Sequence, residues 1–139
     1  MIYYKKDDVK LDFSDVLIEP RESDIPLTRK SVDIEIDWLN TKATPVIVSN
    51  MLSTGTYKIA NILTPNRIFT FIHKEYTAEQ HIAELKKMED RRFIAITSGV
   101  QSWDKEKTIN VVSKFPDIGL INIDIANIYA NIDGMVETI

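Results

Sequence analysis

From residue 46 onward the chain alternates short apolar runs with longer amphipathic stretches. The runs are Val46-Ile47-Val48, Ile68-Phe69-Thr70-Phe71-Ile72, Phe93-Ile94-Ala95-Ile96 and Leu120-Ile121-Asn122-Ile123. Each ends in polar residues: Ser49-Asn50-Met51, His73-Lys74, Thr97-Ser98-Gly99 and Asp124-Ile125-Ala126-Asn127. The steps from Asn50 to Lys74, Lys74 to Ser98 and Ser98 to Asp124 are 24, 24 and 26 positions. β-rich runs separated by helix-length segments predict successive βα units on a parallel sheet. Right-handed crossovers put every C-terminal strand end on one side, where such sheets carry their chemistry. Asn50, Lys74, Ser98 and Asp124 are therefore expected at one rim, a mixture suited to a polar, charged small molecule.

Between the runs, Thr77 and Gln80 form a T-x-x-Q capping box, so a helix is expected to start at Thr77. Ile82, Leu85 and Met88 follow at helical spacing, with Glu79, Glu84, Lys86 and Lys87 left to solvent. A further helix is expected over roughly 104–114, with Ile109, Val112 and Phe115 inward, and a last one from near Asn131 to the final residue, Ile139. Thr64-Pro65-Asn66 and Phe115-Pro116-Asp117 mark the returns to the sheet. Residues 1–44 read as an irregular extension with one alternating stretch, Val32-Asp33-Ile34-Glu35-Ile36-Asp37, suited to an edge ribbon with one face covered. The expected organisation is a single partial domain over 1–139, with the extension at 1–44 and four βα units at 45–139.

Composition narrows the function classes. A 139-residue chain with 44% hydrophobic residues can bury one core. Its net charge of -4, with scattered lysines and arginines, argues against a nucleic-acid surface. No apolar stretch is long enough to span a bilayer and the first residues are no signal peptide, so a cytoplasmic protein is the simplest expectation. The absence of cysteine excludes disulfides, thiolate metal sites and a cysteine nucleophile from this chain.

Individual residues keep two readings. Asp124 follows a buried run and needs donors or a cation, as a site residue or as a loop anchor. Lys74 is a phosphate partner or a solvated surface charge. His73 is expected to orient a loop, His81 to lie on a helix surface without chemistry, and Trp103 and Tyr129 to be packing groups. Thr97-Ser98-Gly99 is a site element or an ordinary turn. No second histidine stands at metal-ligand spacing, so no metal site is expected.

The ordered motifs resemble a known family. Leu11-Asp12-Phe13-Ser14-Asp15-Val16-Leu17-Ile18-Glu19-Pro20 resembles the opening of IMP dehydrogenases and GMP reductases. Ile72-His73-Lys74 with Tyr76, Asn50-Met51 with Gly55-Thr56, Thr97-Ser98-Gly99, and Asp124-Ile125-Ala126-Asn127 with Tyr129 are similar to the GMP reductase branch. The resemblance implies the N-terminal half of a (β/α)8 barrel, an α/β fold. In the complete enzyme it implies NADPH-dependent reductive deamination of GMP to IMP and ammonia. It places cofactor contacts on Lys74, Asp124, Ile125 and Ala126. It also implies that Thr28-Arg29 reaches a neighbouring subunit's cofactor. The family's catalytic cysteine, its threonine–glutamate pair and its potassium-binding loop are absent from this chain, so the residues present are binding rather than catalytic. Leu52 stands where the family motif has aspartate, and Ile128 where it has glycine. Expected partners are a purine nucleotide and either a complementary C-terminal half or further copies in a homo-oligomer. The alternatives are a non-catalytic nucleotide-binding or assembly remnant, an IMP-dehydrogenase-like fragment, and a structural protein without ligand.

Overall fold

The four apolar runs form one parallel sheet whose spatial order repeats their order in the chain. The computed structural model describes residues 11–20, 22, 28, 30–39 and 41–127. The strands are β3 (Ile47–Val48), β4 (Phe69–Ile72), β5 (Ile94–Ser98) and β6 (Leu120–Ile123), all parallel and in the order β3-β4-β5-β6. A doubly wound sheet would reverse its order at a switch point. An unbroken sequential order is that of a (β/α)8 barrel, of which this is a partial one. The chain divides into two units, Met1–Asp33 and Ile34–Ile139.

Strand alternation sorts the core into two layers. On the helix side, Ile72, Ile94 and Ile96 pack with Tyr57, Ala60, Leu85, Met88, Val111 and Phe115. Each fully buried isoleucine there contributes roughly 1.5–3 kcal/mol of apolar burial. On the opposite face Phe69, Phe71, Phe93 and Leu120 gather with Ala43 and Trp38. Trp38 meets Phe69 edge-on with ring centroids 4.9 Å apart.

Three helices connect the strands: α1 (Tyr57–Leu63), α2 (Ala78–Leu85) and α3 (Ser102–Val112). Thr56 caps α1 by accepting the Ile59 N–H at its hydroxyl. The capping box at α2 is present in both directions: Thr77 Oγ1 accepts from the Gln80 N–H and Gln80 Oε1 accepts from the Thr77 N–H. Thr64-Pro65-Asn66 becomes a 3-10 turn ending in Arg67, which adopts φ 55.

Several expectations need correction. The ribbon lies later than the alternation suggested: β1 (Ile36–Trp38) pairs antiparallel with β2 (Thr41–Ala43). Val32, Ile34 and Ile36 are all exposed, because Trp38 rather than the alternating residues docks on the sheet. Helix α3 begins at Ser102 and turns Thr108 and Val111 inward, leaving Ile109 60% exposed. The inward stripe runs through Thr108 and Val111 to the buried Phe115, and Ile109 lies beside it. His81 is fully buried, one turn before Leu85 on the same inward face of α2. Trp103 is no packing group, with 65% of its surface exposed. The helix expected from Asn131, together with Ile128, Tyr129 and Arg29, lies outside the described residues.

Candidate functional site

The C-terminal strand ends meet at one rim, and backbone hydrogen bonds fix how each is presented. After β3 the chain turns tightly: the Gly55 N–H reaches Met51 O (2.7 Å), and Thr54 Oγ1 donates to Ser49 O (3.0 Å). The His73 N–H then donates to Gly55 O (2.9 Å), tying this turn to the end of β4. Gly55 is needed because a Cβ there would meet Phe71 O and the backbone of Asn50. At the other edge the Asp124 N–H donates to Ser98 O (2.9 Å), extending the β5–β6 ladder one residue past Ile123.

Asn50 Nδ2 donates to Asp124 Oδ2 at 2.9 Å, joining the ends of the two outermost strands. Three strand spacings in a flat sheet would separate those strands by about 14 Å. Curl of the sheet and two inward-reaching side chains close that gap. Below this contact, Asn122 Nδ2 donates to Thr97 Oγ1 (3.1 Å).

Lys74, Asp124, Ile125 and Ala126 line one cleft of about 460 Å³, with Gly99 and Gln101 across from them. Lys74 and Asp124 also border an adjoining cleft of about 300 Å³ that Asn50, Leu52 and His73 enclose. The Lys74 side chain is exposed, and its ammonium has no carboxylate partner among the described residues. Four residues singled out in the sequence are thus brought together. Thr28 lies in the other unit, where its N–H donates to Ser31 Oγ (3.0 Å). Ser98, expected at the rim, is fully buried and donates from Oγ to Gly99 O, so Gly99 takes its place in the cleft wall.

Sequence reasoning missed the aromatic layer beneath the rim. Tyr76 stacks on His73 (centroids 4.4 Å apart, planes 19° apart) and meets Tyr57 edge-on at 5.1 Å. The Tyr57 hydroxyl is hydrogen-bonded to His81 Nδ1 at 2.5 Å, while His81 Nε2 has no partner among the described residues. Burial, reinforced by the Lys107 and His73 charges, pushes the His81 pKa down to about 4. Burial likewise pushes the Tyr57 hydroxyl well above its ordinary value. Both groups are therefore neutral and structural at pH 7.

Sequence reasoning also passed over Gln101, Asp104 and Lys107. The available signal was the i, i+3 spacing of opposite charges, Asp104 and Lys107, just after the third strand end. Together with Trp103 they flank a groove of about 660 Å³ that reaches Lys74. The cleft offers the Lys74 ammonium, the Asp104 and Asp124 carboxylates, the Gln101 amide and adjacent backbone, a set of donors and acceptors suited to a polar ligand.

No family model matches the chain. Its sequence is 37% identical over 131 residues to GMP reductase 1 of Rattus norvegicus, covering 88% of this chain and 37% of that protein. It is 36% identical over 131 residues to the GMP reductase of Caenorhabditis elegans, covering 87% of this chain and 36% of that protein. It is 32% identical over 133 residues to the Klebsiella pneumoniae GMP reductase, with 90% and 38% covered. The likeness to GMP reductases read from the motifs is therefore shown along most of the chain, while the chain spans little more than a third of these relatives' length.

Proposed function

We propose that this chain, similar over most of its length to GMP reductases, is a cofactor-binding segment of a GMP-reductase-like oxidoreductase. The observation that carries the reading is the shared cleft in which Lys74, Asp124, Ile125 and Ala126 meet. The chain's own residues fit a nicotinamide dinucleotide phosphate. The exposed Lys74 ammonium is a mobile cation for a phosphate group. One Asp124 oxygen is engaged by Asn50, leaving the other to accept from a hydroxyl or carboxamide. Ile125 and Ala126 supply apolar surface and backbone on the same wall. Thr28 and Arg29 belong to this reading as a contact to the cofactor of a neighbouring subunit. When bound, NADPH supplies the hydride that converts GMP to IMP and ammonia in the complete enzyme. The covalent attack on the purine needs a thiolate, which these 139 residues do not carry, so turnover requires sequence beyond them.

A second reading, a non-catalytic remnant that binds nucleotide or assists assembly, is favoured by Leu52, which lines the smaller cleft in place of a carboxylate. An IMP-dehydrogenase-like fragment remains the alternative within the same family.

Calorimetry with NADPH on the purified chain tests the first reading. Saturable binding is expected, weakened roughly tenfold or more in Lys74→Ala, about 1.4 kcal/mol. Absence of binding by a folded chain would overturn it and leave the assembly reading. Addition of GMP should yield no IMP from the chain by itself.

A further inference from the structure

We propose that Lys107, braced by Asp104, is the positioning residue for Lys74: it pins the turn between β4 and α2 so that the Lys74 ammonium faces the cleft. This rests on the reading of Lys74 as a cofactor contact. Lys107 Nζ donates to the backbone carbonyl of Lys74 at 2.5 Å, across 33 residues of sequence, and lies 3.7 Å from Asp104 Oδ1. The two side chains are only 18% and 16% exposed. Lysine is among the residues least often covered, so a lysine side chain this little exposed is held by its partners. The geometry also separates the two lysines by task. Lys107 spends its charge on a carbonyl and a carboxylate, while Lys74 has its carbonyl fixed and its own ammonium exposed.

A Cβ at Gly99, the residue just after β5, would strike Asp104 Oδ2, so the glycine leaves room for the carboxylate that braces Lys107. A link thus runs from Asp104 through Lys107 to the Lys74 carbonyl, joining α3 to the turn that follows β4. Elsewhere in the turn the Glu75 N–H reaches His73 Nδ1 at 3.3 Å and Tyr76 stacks on His73, so Lys107 is the contact that fixes the Lys74 carbonyl itself. A loop that must present a charge gains affinity when its backbone is ordered before the ligand arrives.

The test uses the full 139-residue chain and Lys107→Met, which keeps the aliphatic stem and removes the ammonium. NADPH affinity is expected to fall several-fold in Lys107→Met and to recover in Lys107→Arg, whose guanidinium can also donate to a carbonyl. In a Lys74→Ala background, Lys107→Met should produce little further loss, since its effect is transmitted through Lys74. An equal loss in both backgrounds would overturn the proposal. Backbone amide relaxation supplies a readout independent of cofactor. Residues 74–76 should become more mobile in Lys107→Met while β5 does not, and an unchanged turn sinks the proposal. Should the parent chain fail to bind NADPH, the cofactor reading falls, and the amide measurement still decides whether Lys107 orders the turn. Asp104→Asn combined with Lys107→Met removes both charges and serves if the single variant does not fold.

Discussion

His81 shows at the residue scale how burial converts an ordinary side chain into a pH-dependent element. Its folded pKa of about 4 lies below the usual 6.5. On acidification the unfolded chain therefore takes up a proton that the folded chain refuses. The contribution to stability is full above pH 6.5, falls between 6.5 and 4, and is constant below that. The shift corresponds to roughly 3 kcal/mol at most. Urea denaturation at pH 7.5 and pH 5 should show this loss in the parent chain. His81→Gln keeps a partner for the Tyr57 hydroxyl and should flatten the dependence, with lower stability at pH 7.5 but little further loss at pH 5. An unchanged slope would assign the acid sensitivity to other groups. The sequence carried no sign of this role: His81 stands among Gln80, Ile82 and Glu84, and a polar residue there reads as solvent-facing. Only the aromatic side chains of Tyr57, from α1, and of Tyr76, just ahead of α2, make an inward histidine acceptable.

Helix signals divide, at the scale of elements, into those the backbone enforces locally and those packing decides. The Thr77–Gln80 box was legible because both partners lie within one turn, and orphan N–H groups must be satisfied wherever the helix docks. Thr77→Ala should cost about 1 kcal/mol, measured as a lower denaturation midpoint at constant m-value. A larger effect would mean that the cap also orders the Lys74 turn. The phase of α3 was less legible. Ile109 and Val112 offered one apolar face and Val111 and Phe115 another, and Thr108 disguised the second. Contact with the sheet selected the stripe that includes Thr108, whose hydroxyl is buried without a partner among the described residues. The strands were read more accurately, since short apolar runs bounded by polar and turn-forming residues mark strands wherever they pack.

An incomplete barrel leaves edges at the scale of the whole molecule. Strands β3 and β6 each pair on one side only among the described residues. Beside β6 an apolar groove of about 460 Å³ is lined by Val112, Phe115, Ile118, Leu120, Ile121 and Ile123. Val46, Ile47 and Ile121 are each at least 43% exposed. Such edges invite pairing with further chain, whether a complementary half or another copy. Light scattering on the purified chain should detect self-association, and Ile121→Lys should shift it toward monomer by charging the β6 edge. A monomeric parent chain would contradict this expectation. Among the described residues, no helix is long and apolar enough to cross a membrane.

What the sequence determined by itself was whatever depends on short-range repetition: the four strands, their parallel direction, the capped helix, and the side of the sheet where polar residues collect. Strand ends recurring at nearly equal intervals carry that information without any knowledge of contacts. The tertiary structure decided what depends on residues far apart meeting. It buried Ser98 and His81, exposed Trp103 and Ile109, joined Asn50 to Asp124 across the curl of the sheet, and set Lys107 under the carbonyl of Lys74. The physical reason is that hydrophobic period is written within a single turn or strand. Which polar group receives a partner is settled only when the sheet closes over its helices.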